Sequence, residues 1–218
     1  MKILDEYPAA QMLMDAGIPF AAMELASTPY EAIAASGRIG YPVVMKLSSA
    51  ELTHKTEYGG VKVGISDDAD CKTAWDELMT GAGKAGLDFP GSLRGILVQK
   101  MSSGGTEFII GGKRDPAFGP VVMFGLGGIY TELFGEVSFR LAPFELQEAE
   151  KMVRRTKAAA LLEGFRGEQP LAGDVLYRAL VSVSQCMAEN PDIEELDINP
   201  FVLDRDGGVA LDALITLS

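Results

Sequence analysis

Histidine is nearly missing from this 218-residue chain, and cysteine almost as scarce: there is one His and there are two Cys. Cys71 and Cys186 are too few for a disulfide framework or a zinc ribbon, and they suit core positions in a protein kept in a reducing cytoplasm. One histidine without a second leaves little from which to build a zinc site. No apolar run approaches the roughly 18 residues that a spanning helix needs. The opening "MKILDEYPAA" has no long apolar segment of the secretory kind. Basic residues are outnumbered 31 to 19 by acidic ones, a net charge of -12, which argues against nucleic acid and anionic membrane as partners. A small anionic ligand stays open, because glycine amides and one or two lysines can override the global field locally. The expectation is a soluble, cytoplasmic protein.

What is present suffices for a large core: 47% of the residues are hydrophobic. "DEYPAAQMLMDA" (5–16) has helical periodicity and stops at Gly17. Thr28 and Pro29 open a second helix, to about 36, and Asp67 or Asp68 caps a third, to about 84. "PFAAMEL", "YPVVMKL" (41–47), "GGVKVGI" (59–65) and "RGILVQKM" (94–101) have strand character. Beyond "SSGG" (102–105), strands at 106–115, 118–128 and 136–142 are joined by glycine turns, and helices follow at about 145–162 and 173–189. The chain then runs through two strand patterns joined by "DRDGG", a hairpin signal. Antiparallel hairpins mixed with helices give an α+β class. The division falls into a small lobe over 1–102, including the N-terminal helix, and a large lobe over 103–218.

Five features could carry chemistry. Lys46 ends an apolar strand, where its ammonium either snorkels or grips phosphate. His54 and Lys55 lie in a polar loop before Gly59 and Gly60; the imidazole could accept a phosphoryl group and the lysine neutralise its charge, or both could be ordinary surface. Around Gln99–Met101 a strand linking two lobes could offer backbone groups to a base, and Glu107 could hold a ribose or be half-exposed. Gly125, Gly127 and Gly128 imply close backbone approach to some neighbour without forming a Rossmann or P-loop signature, and Arg140 is a possible phosphate partner. Finally, alternation in "EELDINPF" puts Asp197 and Asn199 on one face. With a two-residue loop at 206–207 or 207–208, Asp212 lies opposite Phe201 or Leu203, on the face of Asn199. Few protein oxygens with room for water and phosphate is the arrangement magnesium prefers; the alternative is a solvated acidic face.

These residues resemble the ATP-grasp subunit or domain of NDP-forming acyl-CoA synthetases (acetate–CoA ligase, ADP-forming, β subunit), and more distantly the β subunit of succinyl-CoA synthetase. The likeness spans nearly the whole chain, through "GYPVVMKL", "HKTEYGGVKVGI", "GILVQKM", "KRDPAFGPVVMFGLGGIYTELF", "VSFRLAP" and "ELDINPF" to "ALDALI". It implies an ATP-grasp fold in which two lobes with mixed or antiparallel sheets clasp a nucleotide. It also implies the reaction acyl-CoA + ADP + phosphate ⇌ acid + CoA + ATP, with ATP or ADP and Mg²⁺ bound. By that resemblance Lys46 grips phosphate, Gln99, Lys100 and Met101 flank the adenine, Glu107 contacts ribose, and Asn199 and Asp212 hold Mg²⁺ with Asp197 nearby. His54 relays the phosphoryl group. An α subunit with a CoA-binding domain and its own phosphorylatable histidine is implied, since neither is evident here. A self-contained carboxylate–amine ligase and a non-catalytic nucleotide-binding regulator are the competing classes. The chain departs from the pattern at Ala213 and Leu214, where an arginine is expected after the aspartate, and at Glu57 and Tyr58, where Asp and a small apolar residue are more usual.

Overall fold

The computed structural model describes residues 2–52, 55–128 and 136–218. The chain divides into two compact units, Met1–Phe20 with Gly104–Ser218, and Ala21–Ser103.

The second of these is built on a four-stranded antiparallel sheet in the order β2-β5-β3-β4: β2 Met23–Ala26, β3 Val43–Ser48, β4 Val61–Ile65 and β5 Gly95–Lys100. Two helices cover one side, α2 Pro29–Ile39 and α3 Asp68–Lys84. Both start on local chemistry. The Thr28 hydroxyl accepts the Glu31 N–H at 3.2 Å, with Pro29 inside the first turn, and the Asp67 carboxylate accepts the Asp70 N–H at 2.8 Å. Alternation then sorts the strands. Val43, Met45 and Leu47 of β3 and Ile96 and Val98 of β5 pack with Trp75 and Leu78 in one core. Cys71 lies in it, its Sγ 3.6 Å from both Ser36 Oγ and Met45 Sδ, and burial pushes its thiol pKa up. Both cysteines are free, buried core residues.

The larger unit holds a seven-stranded sheet in the order β1-β11-β9-β6-β7-β8, with β10 also beside β9. Its strands are β1 Lys2–Leu4, β6 Thr106–Asp115, β7 Gly119–Leu126, β8 Val137–Leu141, β9 Ile193–Leu203, β10 Gly208–Ala210 and β11 Ala213–Leu217. Helices α1 Glu6–Asp15, α4 Leu146–Arg154, α5 Ala158–Leu162 and α6 Gly173–Glu189 accompany it. Phe108, Ile110, Val122, Phe124, Ile198 and Phe201 point to the helix-covered side and meet Leu180, Val183 and Met187 of α6. Phe108 and Phe124 stack there with ring centroids 5.6 Å apart. Arg114 closes the end of α6 by donating to the carbonyls of Met187 (2.8 Å), Asn190 (3.0 Å) and Ile193 (3.1 Å).

The N-terminal helix does not belong with the small lobe, as expected from sequence, but with the larger unit. The short strand β1, which has no sequence signal of its own, pairs with β11 (Leu4 opposite Ile215) and brings α1 along. The expected helix over 145–162 is two helices, because the Thr156 N–H and hydroxyl both turn back to the Val153 carbonyl, at 2.9 and 2.8 Å. Among the described residues no helix is long and apolar enough to cross a membrane.

Candidate functional site

The strongest constellation lies on the face of the seven-stranded sheet turned away from its helices. β9 and the strands after it pair with Phe201 opposite Ala210 and Ile198 opposite Ala213. Counting between these pairs sets Asn199 directly opposite Asp212, and the Asn199 N–H donates to the Asp212 carbonyl at 3.3 Å. Ile198 and Ala213 are buried in the core, so Asn199 and Asp212 share the other face, with Asp197 next along β9. The shared face agrees with the sequence reading; the expected partners Phe201 and Leu203 do not. The loop is four residues long, Asp204–Gly207, because the Asp204 carboxylate accepts the N–H groups of Asp206 (2.8 Å) and Gly207 (2.9 Å) while its own N–H donates to the Gly207 carbonyl (2.9 Å). That moves the register by an even number of residues, so Asn199 and Asp212 keep a common face; Phe201 and Leu203, expected on that face, lie in the core instead, because the β6–β9 pairing slips between Phe108–Phe201 and Ile110–Ile198.

Asp197 keeps access to solvent at the surface, yet it stands opposite the apolar Leu214, and partial desolvation raises its pKa. Among the described residues no group of three or more His, Cys, Asp and Glu is arranged to hold a metal. The set here is one amide and two carboxylates on an open face, which suits a hard cation that keeps most of its water.

Glu107 of β6 shares this face, since Phe108 beside it points into the core. Its neighbour across the sheet is backbone. The Gly127 N–H donates to the Glu107 carbonyl at 2.8 Å, and a Cβ on Gly128 (φ +59°) would stand 2.6 Å from Glu107 Oε2. The close approach implied by the glycine spacing is therefore to Glu107 itself. Arg140 is not part of the constellation. It pairs with Val122, whose side chain is in the core, so it lies on the opposite, helix-covered face, where its Nε is 3.5 Å from Glu148 Oε2 of α4.

In the smaller unit, Lys46 pairs with Leu97 and Val44 with Gln99, and all four lie on the side of the sheet away from α2 and α3. Lys46 is 8% and Gln99 2% exposed. Among the described residues the buried Gln99 Nε2 finds no hydrogen-bond partner, a costly state unless something polar meets it. The sequence reading names Gln99 for the adenine hinge but through backbone groups, although its side chain, a lone amide in the apolar run "ILVQ", is a legible signal. The backbone donors are in use: Lys100 N–H bonds the Ala22 carbonyl (2.8 Å) and Met101 N–H that of Pro42 (3.3 Å). The Lys100 ammonium is turned to the other side, donating to the carbonyls of Gly40 (2.7 Å) and Tyr41 (3.2 Å). Lys100 is thus a clip on the loop after α2 and presents no side chain to a ligand beside Gln99. His54 lies outside the described residues; Lys55, which follows it, begins a 3₁₀ turn over Lys55–Tyr58.

Two sheets of this topology, with an oxygen pair on one and a buried lysine and amide on the other, correspond to a known family. Residues 1–217 match the model of the ATP-grasp domain, and the chain belongs to that family. Over 214 residues it is 41% identical to the β subunit of acetate–CoA ligase [ADP-forming] I of Pyrococcus furiosus, a match covering 98% of this chain and 91% of that one. It is 39% identical to 4-hydroxybutyrate–CoA ligase [ADP-forming] of Nitrosopumilus maritimus, of which it spans only 29%. Acetyl-coenzyme A synthetase 1 of Ca. Korarchaeum cryptofilum superposes with a TM-score of 0.87 at 39% identity, over 100% of this chain and 93% of that chain. That structure holds coenzyme A and Mg-AMPPCP, with its phosphohistidine segment pointing towards the nucleotide binding site. Within the ATP-grasp family the chain is thus a ligase of the ADP-forming acyl-CoA synthetase group, corresponding to the β subunit where that part is a separate polypeptide.

Proposed function

We propose that this chain performs the nucleotide half of acyl-CoA + ADP + phosphate ⇌ acid + CoA + ATP, with a partner α subunit that binds CoA and carries a second phosphorylatable histidine. The observation that carries the reading is the direct opposition of Asn199 and Asp212 on an open sheet face that also bears Glu107.

Each described residue has a role its position supports. The buried Lys46 lies on the same side of its sheet as Gln99 and binds nucleotide phosphate. The Gln99 amide, whose Nε2 has no acceptor among the described residues, donates to the base. Glu107, held by Gly127 and Gly128, receives the ribose hydroxyls. Asn199 and Asp212 would hold magnesium, with Asp197 beside them, and their oxygens suit it. When bound, the ion spreads and neutralises the charge of the transferring phosphoryl group. His54, followed at once by Lys55, accepts that group and passes it to the partner; Lys55 offsets the negative charge that builds on the acceptor. Arg140, tied to Glu148 on the opposite face, has no part in this scheme.

The decisive test mixes this chain and its α subunit with [γ-³²P]ATP and asks which polypeptide takes up acid-labile label. Label on this chain that chases into the partner supports the relay. Label on the partner alone refutes it.

A further inference from the structure

We infer that Gly81, in the interior of α3 and outside every nucleotide-binding group named above, positions the turn that follows His54, and so acts as a positioning residue for phosphoryl relay; the functional part of this inference rests on the reading just given. A glycine inside a helix is a stability cost, and α3 carries two in its last turns, Gly81 and Gly83. They sit in opposite surroundings. Gly81 is buried, and a Cβ there would stand 2.5 Å from the Tyr58 carbonyl oxygen. Gly83 is exposed, and a Cβ there would meet nothing within 4 Å. Only the first is explained by a neighbour, and that neighbour is the backbone of the turn at 55–60.

The same turn is fixed at two further places. The Gly60 N–H donates to the Lys55 carbonyl at 2.7 Å, and a Cβ on Gly60 would lie 2.7 Å from that oxygen. The Leu47 N–H donates to the Gly60 carbonyl at 2.9 Å, which ties the turn to β3 one residue beyond Lys46. Lys55 is therefore set relative to Lys46 by a short path of backbone contacts, and α3 supports that path only because residue 81 has no side chain. The Tyr58 carbonyl cannot keep this place against a methyl group at 2.5 Å, since backbone atoms cannot yield as the end of a flexible side chain can. The helix would retain its shape and the turn would move. Displacements of this size at a reacting group lower rates by up to about 10²-fold without abolishing binding.

Gly81→Ala and Gly83→Ala form a matched pair on one helix. For each we would measure thermal stability, ATP affinity, amide hydrogen exchange at Leu47 and Gly60, and the rate at which the chain takes acid-labile label from [γ-³²P]ATP. Gly83→Ala is expected to raise the melting temperature and leave labelling unchanged. Gly81→Ala is expected to keep its helix content and ATP affinity, speed exchange at Leu47 and Gly60, and slow labelling by about tenfold or more. If both variants exchange and label like the parent, the positioning role is wrong. Exchange in the unaltered protein tests it even should Gly81→Ala fail to fold: the Gly60 and Leu47 amides must be protected, and rapid exchange there overturns the inference. His54→Ala separates the two ideas, for normal label in that variant defeats the relay while leaving the exchange result to decide whether Gly81 seats the turn.

Discussion

Asn199 and Asp212 face each other across adjacent strands, and the Asn199 N–H donates to the Asp212 carbonyl at 3.3 Å. An amide and a carboxylate so placed share one face of the sheet side by side, where neither alone offers a cation more than weak attraction. Replacing both by alanine is expected to weaken magnesium-nucleotide binding by at least about tenfold, or ~1.4 kcal/mol. Isothermal calorimetry with ATP, with and without Mg²⁺, checks it: the loss should be confined to the Mg²⁺ experiment. Equal affinity in the double variant and the parent would remove the metal assignment.

His54→Ala should separate binding from turnover. Nucleotide affinity stays at the parental value, since the groups assigned to nucleotide lie elsewhere, while net acyl-CoA synthesis by the reconstituted complex is lost. Coupled assay of CoA consumption gives the second quantity, and normal turnover would end the relay role.

Leu214 is 38% exposed and stands directly opposite Asp197. An arginine there would give that carboxylate a cross-strand partner. Opposite-charge pairs of this kind contribute roughly 0.2–1 kcal/mol, so Leu214→Arg should raise the urea midpoint by a corresponding amount. A lower midpoint would mean that the leucine has packing value the exposed face does not suggest.

Tyr41 provides a pH test in the smaller unit. Burial, and next its hydrogen bond to Asp68 at 2.9 Å, push its pKa from 10.0 up to about 12. A raised phenol pKa favours the fold while the group is protonated. Its contribution is therefore complete below about pH 10 and is lost as pH rises through about 12. Ultraviolet titration should show a tyrosine ionising near pH 12 that disappears in Tyr41→Phe; an unchanged titration curve in that variant refutes the assignment.

Much of the architecture could be read from local pattern. The starts of α2 and α3 follow from Thr28, Pro29 and Asp67, whose side chains or ring act within one turn. The strands at 95–100 and 106–115 follow from short apolar runs bounded by turn residues. β1 was not legible, because three residues carry no periodicity and are a strand only through pairing with β11. Nor was the place of Arg140: its alternation with Phe139 and Leu141 is plain, but which side of β8 carries the helices depends on packing against α4. Gln99 shows the converse case. Its amide was visible in the sequence, and that its Nε2 has no partner among the described residues emerged only when the surrounding strands were in place.

By itself the sequence determined most of the helices and strands, though not β1 or the break within 145–162, and that Asn199 and Asp212 lie on one face, since capping, turn chemistry and the two-residue pleat act between near neighbours along the chain. The tertiary structure alone decided that these two residues are directly opposed, that α1 joins the larger unit and that residue 81 must be bare. Each of those depends on groups distant in sequence meeting at contact distance, where the Asp204 loop, strand pairing and van der Waals exclusion select one arrangement from several that local preferences leave equal.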